Sequence, residues 1–251
     1  MSAQTRREQQ ETRRAARKLA AERAARRRRQ LTLLAGAIGL ALIAAIVLIV
    51  VNRPGNRGIS DIVAAPAVAA DLNPNGRTVG NANSPVQVVE YGDYQCPACE
   101  QFFRTVEPQL FNDYVKTGEI GFTFHDYPFI GDGYSPNESM LAAEAAYCAQ
   151  DQGKFWQYHD TLYDNQKAEN SNGFTTARLE QMAKLVGLDT SKFNTCLNNG
   201  THQNEVNQMK QEGTNLGVSG TPTLFVNGKA VASNDYATLK QAIDAALAVK
   251  K

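Results

Sequence analysis

Val86-Gln87-Val88-Val89-Glu90-Tyr91-Gly92-Asp93-Tyr94-Gln95-Cys96-Pro97-Ala98-Cys99 carries an apolar, β-branched run straight into a cysteine pair. The first six residues have strand composition. After Cys96 the apolar positions Phe102, Phe103, Val106, Leu110 and Tyr114 recur at helical spacing, up to a stop at Gly118. Ile120 to His125 is a second β-rich run. The stretch therefore closes a strand, helix, strand unit whose strands are expected to be parallel and joined by a right-handed crossover. The cysteines sit where the first strand hands over to the helix.

Downstream, from Pro136 to about Gly217, no strand pattern occurs, and apolar residues recur at helical spacing through Leu141, Ala142, Ala145 and Ala146, then Phe155, Trp156 and Leu162, then Leu179, Met182 and Leu185. This reads as a helical insertion. Strand signals return in Thr223 to Val226, an Asn227-Gly228 turn and Lys229 to Val231, a hairpin pattern, before a last amphipathic helix from Tyr236 to Val249.

Upstream the character changes. Asn52 to about Arg77 holds Pro54, Gly55, Gly58, Pro66, Pro74 and Gly76 and reads as a linker. Leu31 to Val51 is a run of 21 residues without a charge, long enough to cross about 30 Å of hydrocarbon as a helix. Residues 1–30 carry eleven Arg and Lys against three acids, whereas residues 52–251 carry fifteen against twenty-two. The Arg26 to Arg29 cluster before the apolar run puts the N-terminus in the cytoplasm and the body of the protein outside. A cleaved signal peptide is the rival reading; it fits less well because such apolar regions run to about 7–15 residues. Arg28-Arg29 also has the form of a twin-arginine signal, with ordinary topogenic charge as the plainer account. The basic tail can lie on anionic lipid or be a solvated charge run. The acidic body argues against nucleic acid as a ligand.

All four cysteines lie beyond residue 90. At a helix start, the sulfur of Cys96 faces free backbone N–H groups and the positive end of the helix dipole, which favour thiolate. Cys99 lies on the same helix face one turn deeper, in reach of a mixed disulfide formed at Cys96. Pro97 is tolerated because its missing N–H would be unpaired there anyway. Two other readings stand beside redox chemistry. One is a zinc site completed by Cys148 and Cys196, whose separation of 48 residues is unlike metal-ligand spacing; the other is an inert structural disulfide. His125, His159 and His202 read as surface or packing residues, so no metal site is expected.

The run from Val89 to Cys99, together with Gly153-Lys154-Phe155-Trp156 and Gly217-Val218-Ser219-Gly220-Thr221-Pro222-Thr223, resembles the DsbA-like thiol–disulfide oxidoreductases of the thioredoxin superfamily. The resemblance covers about residues 78–251 and leaves out the tail (1–30), the apolar span (31–51) and the linker (52–77). It implies an α/β thioredoxin-like fold with a helical insertion at about 136–217, here preceded by a single transmembrane helix. It implies further that Thr221-Pro222 is a cis-proline loop opposite the cysteines, with Ser219, Gly220 and Thr221 pairing with an extended substrate segment. Glu90, six positions before Cys96, falls where related proteins hold an acid beneath the disulfide. There it would exchange the proton of Cys99, its pKa raised by burial; a strand-end Glu reaching solvent is the plainer reading. Cys148 and Cys196, both in the insertion, suit a second, structural disulfide in an exported domain, or else two buried free thiols.

The expected activity is disulfide transfer to reduced or unfolded exported polypeptides, with no cofactor beyond the Cys96–Cys99 disulfide. The expected location is the cell membrane, and the resemblance implies reoxidation by a quinone-linked membrane partner. Ala98 stands where the best-known oxidants of the family carry His, so one cationic contribution to the thiolate is missing. A tethered reductase or isomerase is the first alternative, a thioredoxin-fold binding module the second.

Overall fold

The structure, a computed structural model of the 251-residue chain, describes residues 61–67 and 70–249. The expected tail and membrane span lie outside the described residues; among those described, no helix is long and apolar enough to cross a membrane.

Five strands, β1 (Thr78–Gly80), β2 (Val86–Gly92), β3 (Ile120–Asp126), β4 (Thr223–Val226) and β5 (Lys229–Ala230), form one sheet in the order β1-β3-β2-β4-β5. The expected unit forms: β2 and β3 pair in parallel from Val86 opposite Ile120 to Gly92 opposite Asp126. The apolar alternation of these strands buries Val86, Val88, Ile120, Phe122 and Phe124. β4 joins the other side of β2 antiparallel, and turns into β5 through Asn227 and Gly228, both with positive φ. β1, antiparallel to β3, is too short to announce itself in the sequence.

The helix after Cys96 is not one element. α1 (Pro97–Thr105) gives way at Val106 to α2 (Glu107–Leu110) and a π-helical turn (Phe111–Val115). Pro108 has no N–H to offer the carbonyl of Arg104, so the ladder breaks where the apolar spacing alone predicts continuity. The insertion comprises α3 (Glu138–Gln150), α4 (Phe155–Asp164), α5 (Thr176–Leu185), α6 (Thr190–Asn198) and α7 (Gln203–Asn215), and α8 (Tyr236–Ala248) closes the domain. Asn137, Thr175, Asp189 and Asp235 cap α3, α5, α6 and α8 through side-chain oxygens. α4 packs under α1 with Phe155, Trp156, Tyr158, His159, Leu162 and Tyr163 all buried; His159 is thus a packing residue, kept neutral by burial.

The linker expectation needs correction in its second half. Val63 and Asn165 exchange two hydrogen bonds, from Val63 N to Oδ1 (2.8 Å) and from Asn165 Nδ2 to the Val63 carbonyl (2.6 Å). Ala65 N donates to Thr161 Oγ1 at 3.0 Å, and Asp61 pairs with Arg178 at 2.8 Å. Arg77 is buried, 2.8 Å from Asp126, with its guanidinium 3.9 Å from the Tyr147 ring centroid and 4.4 Å from that of Phe155. Pro and Gly content suggests a free coil, but side chains about a hundred residues away supply the partners that pin it. The folded unit therefore begins before residue 78.

Candidate active site

β2 ends at Gly92, and a tight loop delivers Cys96 as the residue preceding α1, with extended backbone (φ −74°, ψ 119°). Pro97 opens the helix as its first residue. Cys96 is 6% exposed and Cys99 fully buried, while Pro97 and Ala98 face solvent. Both thiols are free. The β2–β4 register sets Tyr91 opposite Thr223. That brings the Ser219 to Pro222 loop alongside the cysteine motif, with a cis Thr221–Pro222 bond. The Cys96 thiol donates to the Thr221 carbonyl at 3.3 Å. Ser219 is exposed, and among the described residues Ser219, Gly220 and Thr221 make no backbone N–H hydrogen bond. That edge is open to an extended chain.

The two sulfurs are pushed apart in acidity. The Cys96 pKa falls to about 6, chiefly because the Cys99 thiol donates to its sulfur; burial opposes this, and the Thr221 side chain and the backbone N–H groups of Cys99 and Ala98 add to it. The Cys99 pKa rises well above the ordinary thiol value, first through burial, then through the hydrogen bond it gives Cys96 and the negative charges of Glu90 and Cys96. Glu90 is 1% exposed, and its Oε2 has no hydrogen-bond partner. Burial first, and the charge of Cys96 second, raise its pKa to about 8. It does not reach solvent.

Sequence reading missed the network that holds the loop before Cys96. The buried Asp93 carboxylate accepts four hydrogen bonds: Gln95 N (2.8 Å) and Ser139 Oγ (2.7 Å) on Oδ1, Phe129 N (2.9 Å) and Ile130 N (3.0 Å) on Oδ2. Its own carbonyl accepts from Cys96 N at 2.9 Å. Gln166, beyond α4, donates through Nε2 to the carbonyls of Tyr94 (2.7 Å) and Cys96 (3.1 Å). An acid three residues before the first cysteine was the visible signal; its partners, 36 to 46 residues away, were not. The insertion is thus part of the site's scaffold.

Cys148 on α3 and Cys196 on α6 are joined by a disulfide, with Cα atoms 5.9 Å apart. The four cysteines therefore form two separate pairs. A low-pKa sulfur over a buried thiol and a buried carboxyl can accept a disulfide, hold a mixed disulfide and resolve it.

Comparison with known proteins agrees with this chemistry. Residues 72–245 match the thioredoxin family profile. The probable disulfide bond formation protein D of Bacillus anthracis is 34% identical over 170 residues, covering 67% of this chain and 76% of that protein. Disulfide bond formation protein D of Bacillus subtilis is 30% identical over 183 residues, covering 71% and 80%. The crystal structure of oxidised BdbD from Bacillus subtilis superposes with a TM-score of 0.63 at 26% identity, covering 74% of this chain and 99% of that one.

Proposed function

The chain belongs to the thioredoxin family and is a thiol–disulfide oxidoreductase of the DsbA-like kind, and from that premise we propose that it is a membrane-anchored enzyme donating disulfides to exported polypeptides. The observation that carries this reading is the opposed acidity of its two sulfurs, Cys96 lowered to about 6 and Cys99 raised. A substrate thiolate attacks Sγ of Cys96 in the Cys96–Cys99 disulfide, and the Cys99 sulfur leaves, taking its proton from Glu90. A second substrate thiolate then attacks the substrate sulfur of the mixed disulfide and expels Cys96. Cys96 departs readily because a thiol of low pKa is a good leaving group. The net change is one substrate disulfide formed and the enzyme reduced to the dithiol. The open backbone of Ser219 to Thr221 serves chains of varied sequence.

Anchoring rests on the charge-free run from Leu31 to Val51 and the arginines before it, which leave the catalytic domain outside the cell membrane. A quinone-linked membrane protein would then return the dithiol to the disulfide. Ala98, which adds no cationic charge to the thiolate, is what favours the rival reductase or isomerase reading. Redox titration of the enzyme decides between them: a reduction potential well above thioredoxin's, about −270 mV, is expected, and one at that value assigns a reductase. Cys96→Ser is expected to abolish exchange; partner capture surviving it at full strength would instead mark a binding module.

A further inference from the structure

Three elements of the insertion meet around the second cysteine pair. Asp151 ends α3, Cys196 lies on α6, and His202 precedes the first turn of α7. One ligand atom from each lies within 4.8 Å of the others, and Cys148 Sγ is bonded to Cys196 Sγ. His202 Nε2 stands 2.7 Å from Asp151 Oδ2. Its other nitrogen, Nδ1, is buried without a hydrogen bond, 3.6 Å from Glu205 Oε1. Its ring stacks on Tyr147 with centroids 5.2 Å apart.

We propose that, when the Cys148–Cys196 disulfide is reduced, Cys148, Cys196, His202 and Asp151 bind one zinc ion. Two thiolates, an imidazole and a carboxylate form a tetrahedral zinc donor set, with bonds of about 2.0–2.3 Å that place neighbouring donors about 3.3–3.8 Å apart. Asp151, Cys196 and His202 already lie within 4.8 Å of one another, and Cys148, released from the S–S bond, moves in as the fourth donor, with the metal entering between Nε2 and Asp151. Glu205 Oε1, 3.6 Å from Nδ1, is placed to accept from that nitrogen once Nε2 takes the ion, as a carboxylate does behind a zinc-bound histidine. Cys148 is 2% exposed, whereas the Asp151 side chain is 52% exposed, so the ion arrives from the solvent side.

The steps balance. A dithiol reduces the disulfide, becoming a disulfide itself and leaving two thiols on the protein. Zinc then takes both sulfurs as thiolates and releases two protons. In reverse, a disulfide donor and two protons convert the zinc dithiolate to Cys148–Cys196, free zinc and the donor's dithiol. Zinc would thus hold α3 to α6 in the reduced chain, until oxidation replaces the ion by a covalent bond. The sequence hid this site because its ligands come from three separate elements.

The test uses the full chain carrying Cys96→Ser and Cys99→Ser, which removes the other thiol pair. Zinc is titrated against a chromophoric chelator before and after reduction. One equivalent is expected on the reduced chain only, with a raised Tm in zinc. Cobalt is expected to give a sulfur-to-cobalt charge-transfer band and tetrahedral d–d bands. His202→Gln and Asp151→Asn should each weaken zinc at least about tenfold. The exposed Asp151 provides the milder change should His202→Gln fail to fold. Absence of stoichiometric zinc on the reduced chain, or affinity unchanged in Asp151→Asn, overturns the proposal; so does a reduced chain that neither folds alone nor folds with zinc.

Discussion

Glu90 and Cys96 are six residues apart, and burial works on them unequally. Cys96 has donors to meet its negative charge, whereas Oε2 of Glu90 has none, so the carboxyl keeps its proton to about pH 8. Below pH 4.5, the ordinary carboxyl value, both folded and unfolded chains hold the proton. As pH rises from there to about 8, only the unfolded chain ionises, and the fold loses about 1.4 kcal/mol per pH unit before levelling off. Glu90→Gln removes that slope. Urea melts of the enzyme with its Cys96–Cys99 disulfide closed, which silences Cys96, should show little difference at pH 4. At pH 8 the variant should gain several kcal/mol, at most about 5. Equal slopes in both proteins would mean that Glu90 is ionised in the folded state. The sequence offered this position through family resemblance and the expectation of burial; the absence of any partner for Oε2 needed the packed sheet and α1 above it.

At the scale of elements, periodicity was a good guide wherever a helix or strand has one wet face. α8 follows it, whereas β2 has no exposed residue and is recognised by its apolar, β-branched run. α4 buries residues on most of its circumference, so its role beneath α1 depends on neighbours that no stripe of apolar residues identifies. Pro108 is visible, yet a proline inside an otherwise regular pattern does not say whether the chain kinks or stops. The Cys148–Cys196 pairing likewise depends on α3 meeting α6, a contact fixed by their packing. Because that bond closes a loop of about 49 residues, the chain-entropy argument assigns it roughly 4 kcal/mol. Replacing both cysteines by serine should lower the denaturant-extrapolated stability by about 2–5 kcal/mol. A loss below about 1 kcal/mol would show that α3 and α6 need no covalent tie. Exchange at Cys96 should persist, since the loop before it hangs on Asp93, Ser139 and Gln166, none of which touches the second disulfide.

For the molecule as a whole, the cysteine pair at the centre of the site is legible in Val86 to Cys99, and the fold class in that stretch together with Ile120 to His125 and the separated motifs at Gly153 to Trp156 and Gly217 to Thr223, whereas the N-terminal edge of the folded unit is not. That edge is held by charge and hydrogen bonding over long sequence separations. Arg77 illustrates the energetics: its guanidinium is removed from water, sandwiched between Tyr147 and Phe155, and neutralises Asp126, itself 1% exposed. Burial outweighs that pairing in setting the Asp126 pKa, which rises to about 6. Removing the guanidinium leaves a buried carboxylate without its counter-charge, a change that typically costs about 3–5 kcal/mol. A fragment beginning at residue 78 should therefore be less stable than one beginning at residue 58 by at least that much, since it also loses the Asp61, Val63 and Ala65 contacts. Arg77→Met separates the charge from the chain length. Its loss should be larger at pH 8 than at pH 5, because without Arg77 the folded-state pKa of Asp126 climbs further, so the folded chain keeps that proton over a wider range in which the unfolded chain has already ionised. Adding Asp126→Asn should recover most of the pH-dependent part. Equal stability of the two fragments in denaturant melts would show that the domain does begin at residue 78, and that residues 61–77 merely lie against it.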